Sequence, residues 1–304
     1  MLIDVVPTHL TPAAAELTLV TVPDDMTQQD LELSGQVVGP SCAYAETIEV
    51  AYAVKPLPRD SDFLRAHVVI PEPTFWSPQT PFLYSARLEI RQRAQELDKT
   101  SAAIGLKDLR LHAKKGMRLN GERIQFDGYF GRSVTEEEAR ALHESGVNLL
   151  VVPLKKSNLP LWSLANRLGF FLLGVFDPED DEMLWHASDI LNREPCTFGW
   201  LFPQEMIGMP QHWHNAASLL HSQRPDVFIG IKVDQLPLGA LPGHVAFAVG
   251  EYQVLEQLSA QGLPGLGLLP RGNQATVPEL ASAWLGWVRR TLSIAEGHSG
   301  KQTR

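Results

Sequence analysis

Between Ala15 and His112, hydrophobic and polar residues alternate in short runs broken by Pro, Gly and Asp. The stretches Glu16–Val22, Leu31–Val38, Thr47–Val54, Ala66–Ile70 and Leu83–Ile90 each carry the period of two expected of a half-buried strand. Short strands without an intervening helix predict a β-sandwich of immunoglobulin type, although the Cys pair common in such domains is missing. After the Asn120-Gly121 turn the rhythm changes to apolar strands alternating with amphipathic segments. Strands are expected at Arg123–Phe126, Val147–Val152, Phe170–Phe176, Thr197–Phe202, Val227–Val233, His244–Val249 and Leu266–Leu269. Helices are expected at Thr135–Ser145, where Thr135 and Glu138 make a capping box, and at Leu161–Leu168, Glu182–Asn192, Gln211–Ser222 and Val277–Ile294. In the last of these, Trp284 and Trp287 would share one packed helix face.

Alternating strands and helices predict parallel βα units. The pattern supplies seven strands, one short of a full (β/α)8-type TIM barrel, and Gln235–Gly243 is too short for a crossover helix. The expected fold is therefore multidomain β + α/β: an immunoglobulin-like β-sandwich followed by a trimmed TIM barrel, with an open doubly wound sheet as the alternative. The expected division is an extension over 1–14, the sandwich over 15–112, the barrel over 113–297 and a tail over 298–304.

Composition narrows the function. A formal net charge of −9, with only Lys114, Lys115 and Arg118 as a short basic cluster, argues against a nucleic-acid partner. Cys42 and Cys196 are far apart and are expected as buried thiols rather than a disulfide or metal pair. No window approaches a membrane span, and the N-terminus lacks a secretory pattern, so a cytoplasmic protein is expected, with a trimmed secreted form as the alternative. No cofactor is implied.

Several segments carry a family resemblance in order. Phe75-Trp76-Ser77-Pro78-Gln79-Thr80-Pro81-Phe82-Leu83-Tyr84 resembles the "LWSPExPxLY" segment of family 2 glycoside hydrolases, the β-galactosidase, β-glucuronidase and β-mannosidase group. Asp98 through Leu106 is similar to its "D…fGfR" strand, and Met117–Ile124 to its "fxLNGkpi" hairpin. Phe126-Asp127-Gly128, Gly146-Val147-Asn148, Leu164–Phe170, Trp200–Glu205 and Arg224-Pro225 continue the series to about residue 230. The family's N-terminal jelly-roll domain has no counterpart.

The resemblance implies a retaining glycosidase, which needs two carboxyl groups ~5–5.5 Å apart. It places the acid/base at Glu205, after the fourth strand, with Gln204 where the family has the Asn that binds a sugar hydroxyl. The nucleophile belongs after the seventh strand, where Leu268-Leu269-Pro270-Arg271-Gly272 offers no carboxylate. Gly250-Glu251-Tyr252 looks like the family's nucleophile segment but follows the sixth strand, so Glu251 qualifies only if the strand count is off. The family's sugar-contacting groups after the first two strands are replaced by Tyr129-Phe130-Gly131 and by Val152-Pro153-Leu154.

Asp127, Asp177, Glu205, Asp234 and Glu251 are all expected near strand C-termini, making an acidic mouth. The acidic run 177–182 would suit an oxygen-ligated cation or, more simply, the start of a helix. Trp200, Trp213, Tyr129 and Phe130 are candidates for a sugar-stacking platform, although core packing is the favoured reading for Trp200. His212 and His214 sit two apart, a poor metal pair. Three functions are expected in this order. The first is a catalytically degenerate relative binding a carbohydrate or a protein partner. The second is an active exo-glycosidase using Glu205 and Glu251, and the third a structural or interaction protein.

Overall fold

The computed structural model describes residues 3–23, 30–59, 62–93, 95–112, 115–177, 180–205, 210–224, 226–236, 241, 243–260, 262–269 and 284–290. Ile3–Leu10 (β1), Ala14–Thr21 (β2), Leu31–Ser41 (β3), Val50–Pro56 (β4), Leu64–Pro71 (β5), Leu83–Gln92 (β6) and Gln95–Ile104 (β7) form an antiparallel sheet in the order β1-β2-β5-β4-β3-β6-β7. Strand β4 pairs with β3 through Val50–Val54 and with β5 through Lys55 and Pro56. It thereby folds the sheet into two facing layers. Leu17, Leu19, Ala66 and Val68 from one layer pack on Leu33, Val37, Ala86 and Leu88 from the other. The period-two pattern puts these residues inside. Residues 1–14 were expected as an extension, but Ile3–Leu10 is an edge strand; Pro7 and a register shift beside it hide its alternation from the sequence.

Leu109–His112 (β8), Gly116–Leu119 (β9) and Glu122–Ile124 (β10) form a small sheet leading to the second part. Asn120 and Gly121 both take positive φ, 53° and 86°, the conformation of a two-residue hairpin turn.

Phe126–Phe130 (β11), Leu149–Pro153 (β12), Phe171–Val175 (β13), Thr197–Phe202 (β14), Phe228–Val233 (β15), Val245–Gly250 (β16), Gly265–Leu268 (β17) and Trp284–Arg290 (β18) close a parallel barrel. Closure runs from Phe126–Phe130 of β11 to Gly286–Arg290 of β18, which removes the open-sheet alternative. Two sequence expectations are corrected here. The first barrel strand is Phe126–Phe130, since Glu122–Ile124 belongs to the hairpin. The eighth strand lies inside the segment expected as the helix Val277–Ile294. Its pattern misleads because Gly286 replaces a side chain on the inner face: a Cβ there would lie 2.0 Å from the Phe126 carbonyl oxygen. Trp287 instead points outward, beside Gly267 and stacked on Tyr252.

Outside the strands run Glu136–Glu144 (α1), Pro160–Leu168 (α2), Asp181–Asp189 (α3), Pro210–Gln223 (α4) and Tyr252–Ala260 (α5). Thr135 and Glu138 form the expected capping box on α1. Among the described residues, no helix is long and apolar enough to cross a membrane.

The two parts meet at the N-terminal end of the barrel. Trp76, fully buried, donates its indole N–H to the Asn166 carbonyl at 3.2 Å and meets the Phe171 ring edge-on at 4.9 Å. The Pro78 carbonyl oxygen lies 2.1 Å from where a Cβ on Gly169 would sit, and Gly169 ends α2 at φ +78°. Only glycine fits that position on both counts. The Lys107 ammonium rests over the Trp76 and Phe171 rings, 5.7 and 5.4 Å from their centroids, and donates to the carbonyls of Pro195 and Thr197. Arg193 pairs with Asp4, and Arg224 grips Asp226 with two bonds of 2.8 and 2.7 Å. Burial opposes the Asp226 charge, but Arg224 and Lys107 outweigh it and hold the carboxyl at about 2.

Burial lowers Lys107 to about 8, with Asp226 opposing the shift. The folded state therefore releases this proton near pH 8, while the unfolded chain holds it to about pH 10.5. Below pH 8 the enclosed charge weighs fully against folding, and stability rises as pH climbs through this window. Denaturant midpoints of wild type and Lys107→Met, compared from pH 7 to 10, should show a gain of ~1–2 kcal/mol in wild type only, allowing for partial exposure of the residue. Parallel profiles for the two proteins would contradict this.

Candidate functional site at the barrel mouth

Parallel strand pairing puts partnered residues on one face of the sheet, so register separates lumen from exterior. Phe126, Phe171, Phe198, Phe228 and Phe247 meet inside the barrel, with the Phe126 and Phe198 rings 4.7 Å apart across it. The lumen floor is thus a packed aromatic layer, and with the joint below it, any site must open at the C-terminal end.

Asp177, Glu205, Asp234 and Glu251 lie at that end. Asp177 follows β13, Glu205 follows β14, Asp234 follows β15 and Glu251 follows β16, and all four are exposed. Glu205 thus follows the fourth barrel strand and Glu251 the sixth. The Glu251 carbonyl accepts from the Val254 and Leu255 N–H groups at 3.1 Å, opening helix α5. The seventh strand, β17, ends at Leu268 and is followed by Leu269; Pro270, Arg271 and Gly272 lie outside the described residues.

Gln204 has its amide tied to the neighbouring loop. Its Oε1 accepts from the Asp234 and Gln235 N–H groups at 2.8 and 3.0 Å, and its Nε2 donates to the Gln235 carbonyl at 2.9 Å. It joins the loop after the fourth strand to the loop after the fifth. Lys232 was not among the expected mouth residues. Lys232 alternates with Ile231 and Val233, pairs with lumen-side Val249, and bonds the Asp234 carboxylate at 2.8 Å. The period-two pattern of β15 was the signal that could have found it.

Two expected mouth residues belong elsewhere. Asp127 is the second residue of β11, beside Trp287 on the outer face and far from the strand's C-terminal end. It was misplaced because the first barrel strand was drawn four residues early. Trp200 is fully buried outside the barrel, donating its indole N–H to Asn192 at 3.0 Å and stacking on Trp162 of α2. A bulge causes this: Leu172 pairs with Thr197 but Leu173 pairs with Gly199, so Phe198 is an extra residue. Phe198 keeps the lumen side while Trp200 faces outward, with no ring face open to a sugar. Tyr129 pairs with Leu150 on the outer face as well, and Phe130 with lumen-side Val151. The side chains of His212, Trp213 and His214 lie outside the described residues.

The acidic run after β13 has local duties. The Asp180 carboxylate caps α3 through the Met183 N–H at 3.2 Å, and Glu182 pairs with Lys156 at 2.8 Å, which lowers the Glu182 pKa. Among the described residues, no three His, Cys, Asp or Glu side chains gather as a metal would need. Removing the Gln204 amide should free two loops at once. In Gln204→Ala, the Asp234 and Gln235 amides should exchange hydrogen about tenfold faster by mass spectrometry, with strand β14 unchanged. Unaltered exchange at both amides would show that the bridge does not hold the loops.

Comparison with known proteins gives a consistent picture. Residues 5–107 match the family model of glycosyl hydrolases family 2. A β-galactosidase of Bacteroides ovatus is 22% identical over 178 residues, covering 49% of this chain and 21% of that protein. A solved family 2 member from Bacteroides cellulosilyticus superposes with a TM-score of 0.71 at 14% identity, over 95% of this chain and 45% of that one. The β-glucuronidase of Parabacteroides merdae gives 0.65 at 14% identity, over 88% of this chain and 38% of its own. The chain thus spans about a fifth of the curated relative and less than half of these solved structures. The chain is similar to the family 2 glycosyl hydrolases, in sequence over its sandwich and in fold over both parts.

Proposed function

We propose that the chain is a non-hydrolysing relative of this family, an immunoglobulin-like sandwich carrying an eight-stranded TIM-type barrel whose acidic mouth binds a ligand. A carbohydrate is the first candidate and a protein partner the second. The observation that carries the reading is the order of carboxylates around the mouth. Glu205 follows the fourth strand, where the family resemblance puts the acid/base. Leu268 and Leu269 stand where the seventh strand ends, and the sequence beyond them, Pro270-Arg271-Gly272, brings no carboxylate. A retaining mechanism without a nucleophile forms no glycosyl intermediate. Gln204 fits the same reading, since its carbonyl oxygen and one N–H are held by the Asp234–Gln235 backbone.

The competing reading pairs Glu205 with Glu251 as acid/base and nucleophile of an active exo-glycosidase. Its support is that both carboxylates are exposed at the same end of the barrel. A panel of nitrophenyl β-galactoside, β-glucuronide and β-mannoside separates the two. The proposal expects no release above that of Glu205→Gln. Turnover in wild type that disappears in both Glu205→Gln and Glu251→Gln would establish the active reading instead. Titration of the corresponding free sugars against tryptophan fluorescence then distinguishes a carbohydrate ligand from a protein one.

A further inference from the structure

The outer face of the sandwich carries a groove of about 780 Å³, remote from the barrel mouth in sequence and fold, lined by β3, β4, β6 and β7. Strand register orders its polar groups into rungs. Gln36, Arg87 and Ser101 are partners across β3, β6 and β7, and Ser34, Glu89 and Lys99 form the next rung. Gly35 lies between the rungs at φ +138°, and a Cβ there would sit 2.1 Å from the Arg87 carbonyl oxygen. Backbone, rather than side chains, therefore forms this part of the groove.

Charge sets the ligand class. Arg87, Arg91 and Lys99 line the groove against the single carboxylate of Glu89, on a chain whose formal charge is −9. Arg91 is held by Glu89 at 2.6 Å and Lys99 by Glu96 at 3.4 Å. Arg87 is exposed and, among the described residues, has no carboxylate partner. Ser34 Oγ is closed off from solvent and has no hydrogen-bond partner. A free guanidinium beside hydroxyl and amide groups suits an oxyanion on a polyhydroxylated molecule. The lining holds no aromatic ring on which a nucleobase would stack.

We infer that this groove binds an acidic oligosaccharide, its carboxylate or sulfate on Arg87 and its hydroxyls on Gln36 and Ser101. The site is separate from the barrel mouth and does not depend on the mouth's function.

Isothermal titration calorimetry on the full chain tests it, with hyaluronan hexasaccharide for carboxylate, chondroitin sulfate hexasaccharide for sulfate, and chitohexaose as the neutral control. At least one acidic probe should bind at concentrations up to about 1 mM, while chitohexaose does not. Arg87→Ala should weaken that binding about tenfold, as expected for loss of a charge-assisted hydrogen bond. Ser101→Tyr, which fills the groove from the neighbouring strand, should also weaken it, and Glu205→Gln at the mouth should leave it unchanged. Both groove positions are exposed, and circular dichroism checks that the variants fold. Absence of binding by either acidic probe, equal binding of chitohexaose, or full affinity in Arg87→Ala would overturn the assignment. Loss of binding in Glu205→Gln alone would place the sugar at the mouth instead and overturn it equally.

Discussion

The Trp76 indole, wedged beneath the barrel with the Lys107 ammonium over its ring, is the contact on which the arrangement of the molecule rests. One side chain satisfies its N–H on the Asn166 carbonyl, covers the edge of Phe171 and takes a cation from the segment joining the two parts. Around it, Tyr44 reaches the Leu168 carbonyl, and His143 meets the Pro78 carbonyl and stacks on Tyr44. Because these contacts collect at the N-terminal end, the sandwich caps the floor of the barrel and leaves its C-terminal end open. The position of the candidate site is therefore a consequence of the joint as much as of the barrel.

The same joint gives the motif segments a physical meaning. Trp76 and Pro78 belong to the segment that resembles the family, and their partners Asn166 and Gly169 lie in another such segment about ninety residues on. Asn120 of the hairpin donates to the Trp76 carbonyl, and Asn148 bonds both the Asp127 N–H and the Gln125 carbonyl. These residues hold the parts together rather than act on a substrate. A chain can keep them all whatever happens to its catalytic positions, so these segments report the fold and not the activity.

Much of the fold was legible because its signals are local. Alternation along β2, β3, β5 and β6 reports two facing sheets, and the Thr135–Glu138 box marks its helix directly. The errors came where the determining contact is distant. Strand β18 passed for a helix because Gly286 is explained only by the approach of Phe126. That Trp200 packs outside the barrel agrees with its favoured core reading, but the bulge at Phe198 that turns it outward depends on pairing with β13 and has no local signal. Asp127 was displaced by a boundary error that the barrel register alone resolves. The Gln204 bridge joins residues thirty apart through backbone groups, which side-chain patterns do not reveal.

On the proposed reading no carboxylate after the seventh strand acts as a nucleophile, so the most direct measurement asks whether a sugar can be trapped on the protein. Intact-mass spectrometry after incubation with activated 2-deoxy-2-fluoro-β-glycosides reports a covalent glycosyl adduct, the intermediate every retaining carboxylate nucleophile must form. An unmodified mass is the predicted result. An adduct that maps to Glu251 would contradict the account and make the sixth strand the home of a working nucleophile.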